Sequence, residues 1–194
     1  MKVLLINGSR RPKGCTYTAL NLVAGELNAA GIETELLQVG HGVLAGELDS
    51  LVKKALTLMR DVDGLVIGSP VCFASASGEV LAFLDRLFLE GNDVLCRKPC
   101  ACLVSARRAG TTAALDSLNK YPTICQMPVV SSLYWNMVHG NTPEEVMQDE
   151  EGLQIMRVLG RNMAGLLKLK EAGKAAGVAL PAQEERRIAT NFIR

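Results

Sequence analysis

A marked excess of charge of either sign is missing from this sequence. Across 194 residues, 21 lysines and arginines face 20 aspartates and glutamates, a formal net charge of +1. No basic excess marks a nucleic-acid surface, and no run of like charge marks an interaction tail. Also absent is any apolar run near the roughly 20 residues that a membrane helix needs. The opening "VLLI" is too short for a signal peptide. These absences predict a cytoplasmic protein with no nucleic-acid and no membrane partner. Six cysteines occur, yet no two form a CxxC pair. Several lie inside apolar runs, which predicts buried free thiols rather than a disulfide framework. There is no internal repeat, no low-complexity tract and no composition shift that would split the chain.

What the chain does have is apolar material: 48% of its residues are hydrophobic, enough for a sizeable core. "KVLLING" (2–8), "IETELLQV" (32–39), "GLVIGSP" (64–70) and "KPCACLVSA" (98–106) read as strands, and a fifth falls within 127–138. Between them, apolar residues return at helical spacing, as in Leu48, Leu51, Val52, Ala55 and Met59, or Val80, Phe83, Leu84, Leu87 and Phe88. Thr142, Pro143 and Glu145 have capping-box spacing, and one last helix is expected from there through Leu167. This alternation predicts right-handed βαβ units in an α/β three-layer sandwich, a parallel sheet with helices on both faces. One domain is expected over residues 1–177. Beyond Gly177 periodicity fades and charge rises, so 178–194 is expected to be a tail or arm.

Three loops stand where strands end, the place where open α/β sheets bind ligands. The first is "NGSRRPKGCT" (7–16). Gly8 is expected to let the strand turn sharply, and Gly14 to let the backbone approach an anion. The helix amides from Cys15 to Tyr17 would then supply donors and a positive dipole end. Ser9 and Thr16 add hydroxyls, and Arg11 adds charge. The pattern fits neither GxxxxGK[ST] nor GxGxxG, so it is a phosphate cradle by chemistry rather than by those motifs. The second loop, "GSPVCFASASG" (68–78), exposes amides beside flat apolar contacts from Val71 and Phe73. It suits the edge of a planar ring, or equally a tight turn whose Ser77 caps the next helix. The third, "SARRAGTT" (105–112), is by itself a surface turn; with the other two it walls a shallow site.

Plainer readings cover other residues. Cys102 and Arg108 have the CxxxxxR spacing of thiolate phosphatases, but Cys102 sits in mid-strand, where that chemistry has no room. Cys96, Cys100 and Cys102 have no nearby histidine and no zinc-site spacing. His41 reads as solvated and His139 as structural. Tyr134 and Trp135 read as core or subunit-interface aromatics.

Together "GSRRPKGCT", "GSPVCFASASGEVLAFLDR", "SARRAGTT" and "SSLYWNMVHG" closely resemble the NAD(P)H-dependent FMN reductases of the flavodoxin-like superfamily, over roughly residues 2–140. The resemblance implies a flavodoxin-like five-stranded sheet of order 2-1-3-4-5, bound FMN, and a homodimer or homotetramer. By this likeness Ser9, Arg11, Cys15 and Thr16 hold the FMN phosphate. Pro70, Val71, Cys72 and Phe73 meet the ribityl chain and flavin edge. Ser105, Arg107, Arg108 and Gly110 line the isoalloxazine and the nicotinamide approach. Cys15 stands where the family often has Asn, and Cys72 and Ala74 where Tyr and Gly are usual. Related iron–sulfur flavoproteins carry clustered cysteines between the second and third strands; "GHGVLAGELDS" has none, so no iron–sulfur cluster is expected. The implied activity is hydride transfer from NADH or NADPH through FMN to a small-molecule acceptor such as a quinone, flavin, nitro compound or metal ion. No catalytic side chain is required, because the flavin N5 is the reacting atom. The rival expectations are a flavodoxin-type electron carrier, disfavoured by the neutral charge, and a non-catalytic flavin sensor.

Overall fold

A computed structural model describes residues 1–180, 188–190 and 192. Three strands form the middle of its sheet: β1 (Lys2–Asn7), β3 (Gly64–Cys72) and β5 (Cys100–Ala106). They are continuous apolar runs because both of their faces are covered; Val3 to Ile6 are at most 1% exposed. At one edge lies β2 (Glu33–Gln38), whose Glu33, Thr34, Glu35 and Leu36 keep contact with water. At the other lies the short β6 (Met137–His139). All pair in parallel in the order β2-β1-β3-β5-β6, while the two-residue β4 (Ser75–Ala76) folds back antiparallel on the end of β3. Leaving that hairpin aside, the five parallel strands have the flavodoxin-like order 2-1-3-4-5.

Helices cover both faces. Alternate residues of the central strands, Val3, Leu5, Val66, Ala101 and Leu103, pack under α1 (Cys15–Ala29) and α8 (Glu150–Ala175). Their neighbours Leu4, Ile6, Leu65, Ile67, Cys100, Cys102 and Val104 pack under α3 (Leu48–Arg60), α4 (Gly78–Glu90) and α6 (Thr111–Ile124). Each fully buried Leu or Ile here contributes about 1.5–3 kcal/mol relative to exposure. Three further helices are short: α2 (Gly40–Leu44), α5 (Asn92–Leu95) and α7 (Pro143–Val146). His41 is exposed as expected, but it lies in the short helix α2 rather than in a glycine-flanked loop.

Two expectations change in detail. The fifth parallel strand is only three residues long. Val130 N–H still donates to Cys100 O and Cys100 N–H to Pro128 O, and Val104 N–H reaches Asn136 O, but between them the chain leaves the sheet. The buried Asn136 side chain bridges that excursion by donating to Cys102 O and Val130 O, at 3.0 and 3.5 Å. Leu133, Tyr134 and Trp135 project from it half-exposed, so they are not core residues. The last helix is also broken in two. Thr142 caps α7, and Asp149, accepting from Gly152 N–H at 3.0 Å, starts α8 afresh. Of the expected tail, residues 181–187, 191, 193 and 194 lie outside the described residues. None of the described helices is long and apolar enough to cross a membrane.

Candidate functional site

The carboxyl ends of β1, β3 and β5 open into one cleft of about 430 Å³, within the range of ligand pockets. The first loop is anchored at its base. Gly8 N–H donates to Gly68 O at 2.8 Å. A Cβ on Gly8 would lie 2.6 Å from Val80 Cβ and 2.9 Å from Gly68 O. The glycine is therefore required by close packing on α4, not by a left-handed turn, since its φ is outside that region.

Asn7 shapes the rest of the loop. Fully buried, it accepts from Ser9 N–H at 3.1 Å and donates to Pro12 O at 3.2 Å and Gln38 Oε1 at 2.7 Å. Gln38 in turn donates to Ser9 O at 2.5 Å. Ser9 Oγ accepts from Arg11 N–H. Gly14 then precedes α1 in an extended conformation, and no side chain caps that helix. The opening amides of α1 have no intrahelical partner and form a positive dipole end beside Ser9, Arg11 and Cys15. Cys15 donates its thiol hydrogen to Gly140 O at 3.5 Å. Burial pushes this thiol up from its ordinary pKa, with opposing pulls from its own amide and Arg11. It stays protonated at neutral pH and brings no negative charge to the cradle.

The second loop is a two-residue hairpin. Cys72 pairs with Ser75, and the central Phe73 and Ala74 have φ of 51° and 57°. Tight hairpins demand left-handed backbone there, usually from Gly or Asn, so two side-chain-bearing residues hold a strained turn. The Phe73 ring is bare to solvent at the cleft rim, 106% exposed. Ser77 Oγ accepts from Val80 N–H, capping α4, and donates to Gly8 O at 3.0 Å, fastening the second loop to the first.

The third loop locks onto both. Thr16 Oγ1 and Ser105 Oγ share a buried hydrogen bond of 2.8 Å. Gly110, at φ 96°, turns the chain into α6; a Cβ there would sit 2.9 Å from Ala74 Cα.

Nine of the residues expected at the site line this cleft: Ser9, Arg11, Cys15, Pro70, Val71, Cys72, Phe73, Ser105 and Arg107. Thr16 and Gly110 support its walls from behind, and the exposed Arg108 is not on the wall. Arg10, Ser77, Ala106, Gly140 and Asn141 also line it. Arg10 was visible in the double-arginine run, whereas Gly140 and Asn141 arrive only through the β6 crossover. A larger cavity of about 540 Å³ lies by Met1, Asp63 and Leu167, at the opposite end of the strands. It lacks the loops and helix N-terminus that gather here.

The family model described as NADPH-dependent FMN reductase matches residues 1–142. The chain belongs to this family. An iron–sulfur flavoprotein of Methanocaldococcus jannaschii is 29% identical over 198 residues, spanning 87% of this chain and 98% of that one. Among solved structures, RosB with bound 8-demethyl-8-formylriboflavin 5′-phosphate has a TM-score of 0.68 at 17% identity, covering 100% of this chain and 92% of RosB. An apo NADH:FMN oxidoreductase, EmoB, has a TM-score of 0.64 at 21% identity, covering 87% and 89%. The chain is thus a flavin-dependent oxidoreductase with a flavodoxin-like fold.

The cleft fits FMN. An uncapped helix N-terminus with Ser9 and Arg11 suits a phosphate, and Pro70, Val71 and Phe73 suit a flat ring. An iron–sulfur cluster does not fit. Cys100, Cys102 and Cys125 are buried within the core, Cys15 and Cys72 line the cleft, and no three potential ligands gather among the described residues.

Proposed function

We propose that this protein oxidises NADPH or NADH and delivers the electrons, through bound FMN, to a small-molecule acceptor such as a quinone, flavin, nitro compound or metal ion. The observation that carries the reading is the uncapped start of α1, set beside Arg11 and Ser9 at the mouth of a cleft with an apolar far wall. When bound, FMN supplies the hydride-accepting N5 and the ability to pass electrons on singly or in pairs. The chain's own residues do the rest. Ser9, Arg11 and the α1 amides hold the phosphate, with Thr16 keeping Ser105 in place behind them. Pro70, Val71 and Cys72 set the plane of the ring, Ser105 and Arg107 border its second edge, and the open cleft leaves one face free for both substrates. Half-exposed Leu133, Tyr134 and Trp135 support assembly into a homodimer or homotetramer.

The test is anaerobic mixing of the FMN-loaded protein with NADPH and with NADH, followed by a quinone. Bleaching of the flavin band by one nicotinamide and its return with the quinone is the expected result. Flavin that binds tightly but is never bleached would overturn the reductase in favour of a carrier or sensor.

A further inference from the structure

Arg10 is a charged cleft residue that the cradle chemistry does not use, and its partner is unusual. Its Nε donates to Glu79 Oε1 at 2.7 Å, and its Nη2 approaches the same oxygen at 2.5 Å. The Arg10 side chain is 64% exposed but that of Glu79 only 7%. The second carboxylate oxygen, Oε2, is buried with no hydrogen-bond partner. A buried carboxylate satisfied on one side is a poor device for stability, because the desolvation of the unmatched oxygen opposes the gain from the pair. Glu79 nevertheless remains ionised. Burial pushes its carboxyl up, while its own backbone amide and then Arg10 more than offset that and hold it below the usual range.

What the arrangement does provide is position. Glu79 sits in the first turn of α4, two residues after Ser77, whose hydroxyl is bound to Gly8 O at the base of the phosphate loop. The carboxylate is therefore fixed relative to that loop by a rigid helix end. It uses two of the five guanidinium donors of Arg10, leaving the others to the cleft that Arg10 lines. A long arginine on a loop otherwise spreads over many rotamers, and a fixed fork loses less freedom when an anion arrives.

Resting on the FMN reading above, we propose that Glu79 is a positioning residue that holds Arg10 over the cleft as a second phosphoester-binding cation, so that the pair sets the preference for FMN over unphosphorylated riboflavin. Neither group reacts.

The experiment measures dissociation constants of FMN and riboflavin, by fluorescence quenching, for the apo-protein and for E79Q, R10A and the double variant. Glutamine preserves the volume of Glu79 and can still accept one bond, so folding is retained; melting temperature checks this. Losing charge-assisted bonds to phosphate is expected to weaken FMN about tenfold in R10A and comparably in E79Q, with riboflavin unchanged. The double variant is expected to be no worse than R10A, because the two act as one unit. The salt dependence of FMN binding is expected to be shallower in both single variants. Tighter FMN binding in E79Q would overturn the proposal, since Glu79 would then compete with the phosphate for Arg10. Equal losses for FMN and riboflavin would overturn it too, as a purely structural role. A parent protein that does not prefer FMN to riboflavin would remove this inference and the phosphate cradle together. A parent that prefers FMN, with variants that keep the preference, removes this inference alone.

Discussion

Replacing Asn7 with alanine tests whether the phosphate loop is shaped by a side chain at the end of β1. In the parent, the fully buried amide makes three bonds, to Ser9 N–H, Pro12 O and Gln38 Oε1. Gln38 is half-buried and can recover a partner from water, while Ser9 is only 7% exposed and its N–H would be stranded. A stranded buried donor costs about 1–3 kcal/mol, and the two other lost bonds together contribute about 1 kcal/mol. The sum is roughly 2–4 kcal/mol of destabilisation. In a domain of this size about 2–4 °C of melting temperature goes with each kcal/mol, so Tm is expected to fall by roughly 4–16 °C. Loop geometry suffers with it. FMN affinity, measured by titration well below the new Tm, is expected to fall about tenfold or more as the donors around Ser9 and Arg11 lose their common frame. A Tm within about 2 °C of the parent, together with parental FMN affinity, would refute the reasoning. The loop would then be held by Ser77, Gly8 and Gln38 without Asn7.

Two further outcomes can be checked. Ala74 holds φ 57° in the hairpin beside Phe73, a conformation that costs a non-glycine residue about 1 kcal/mol. Ala74→Gly is therefore expected to raise Tm slightly despite the added freedom of the unfolded chain; a clear drop in Tm would show that the methyl group packed on Gly110 outweighs the strain. Glu79, with a folded pKa below its ordinary 4.5, stabilises the protein above that value. This contribution is lost as pH falls through the lower folded pKa. Urea midpoints measured from pH 7 down to pH 3 are expected to fall less steeply in E79Q than in the parent, and identical acid limbs would deny the linkage.

Much of this protein was legible because its physics is local or periodic. β1, β3 and β5 announce themselves as unbroken apolar runs, since a strand covered on both faces has no polar side to show. Their alternation with amphipathic helices leaves little freedom in topology, and the ends of those strands are where three conspicuous loops fall. β6 was less legible: its register is carried by Asn136 bonding back to Cys102 O, and the Leu133-to-Trp135 excursion mimics a strand in composition. The two-way split of the last helix hung on Asp149, a cap that also accepts from His139 N–H at 2.6 Å.

By itself the sequence determined the layers, the strand order through a family likeness, and the chemical character of the cradle: hydroxyls, arginines and a helix start within one short loop. Only the tertiary structure decided which side chains share the cleft. Thr16 meets Ser105 across 89 positions and Arg10 meets Glu79 across 69, pairings that no local pattern encodes. Such contacts arise when separate strands end side by side, so their geometry belongs to the packed sheet and not to any stretch of chain.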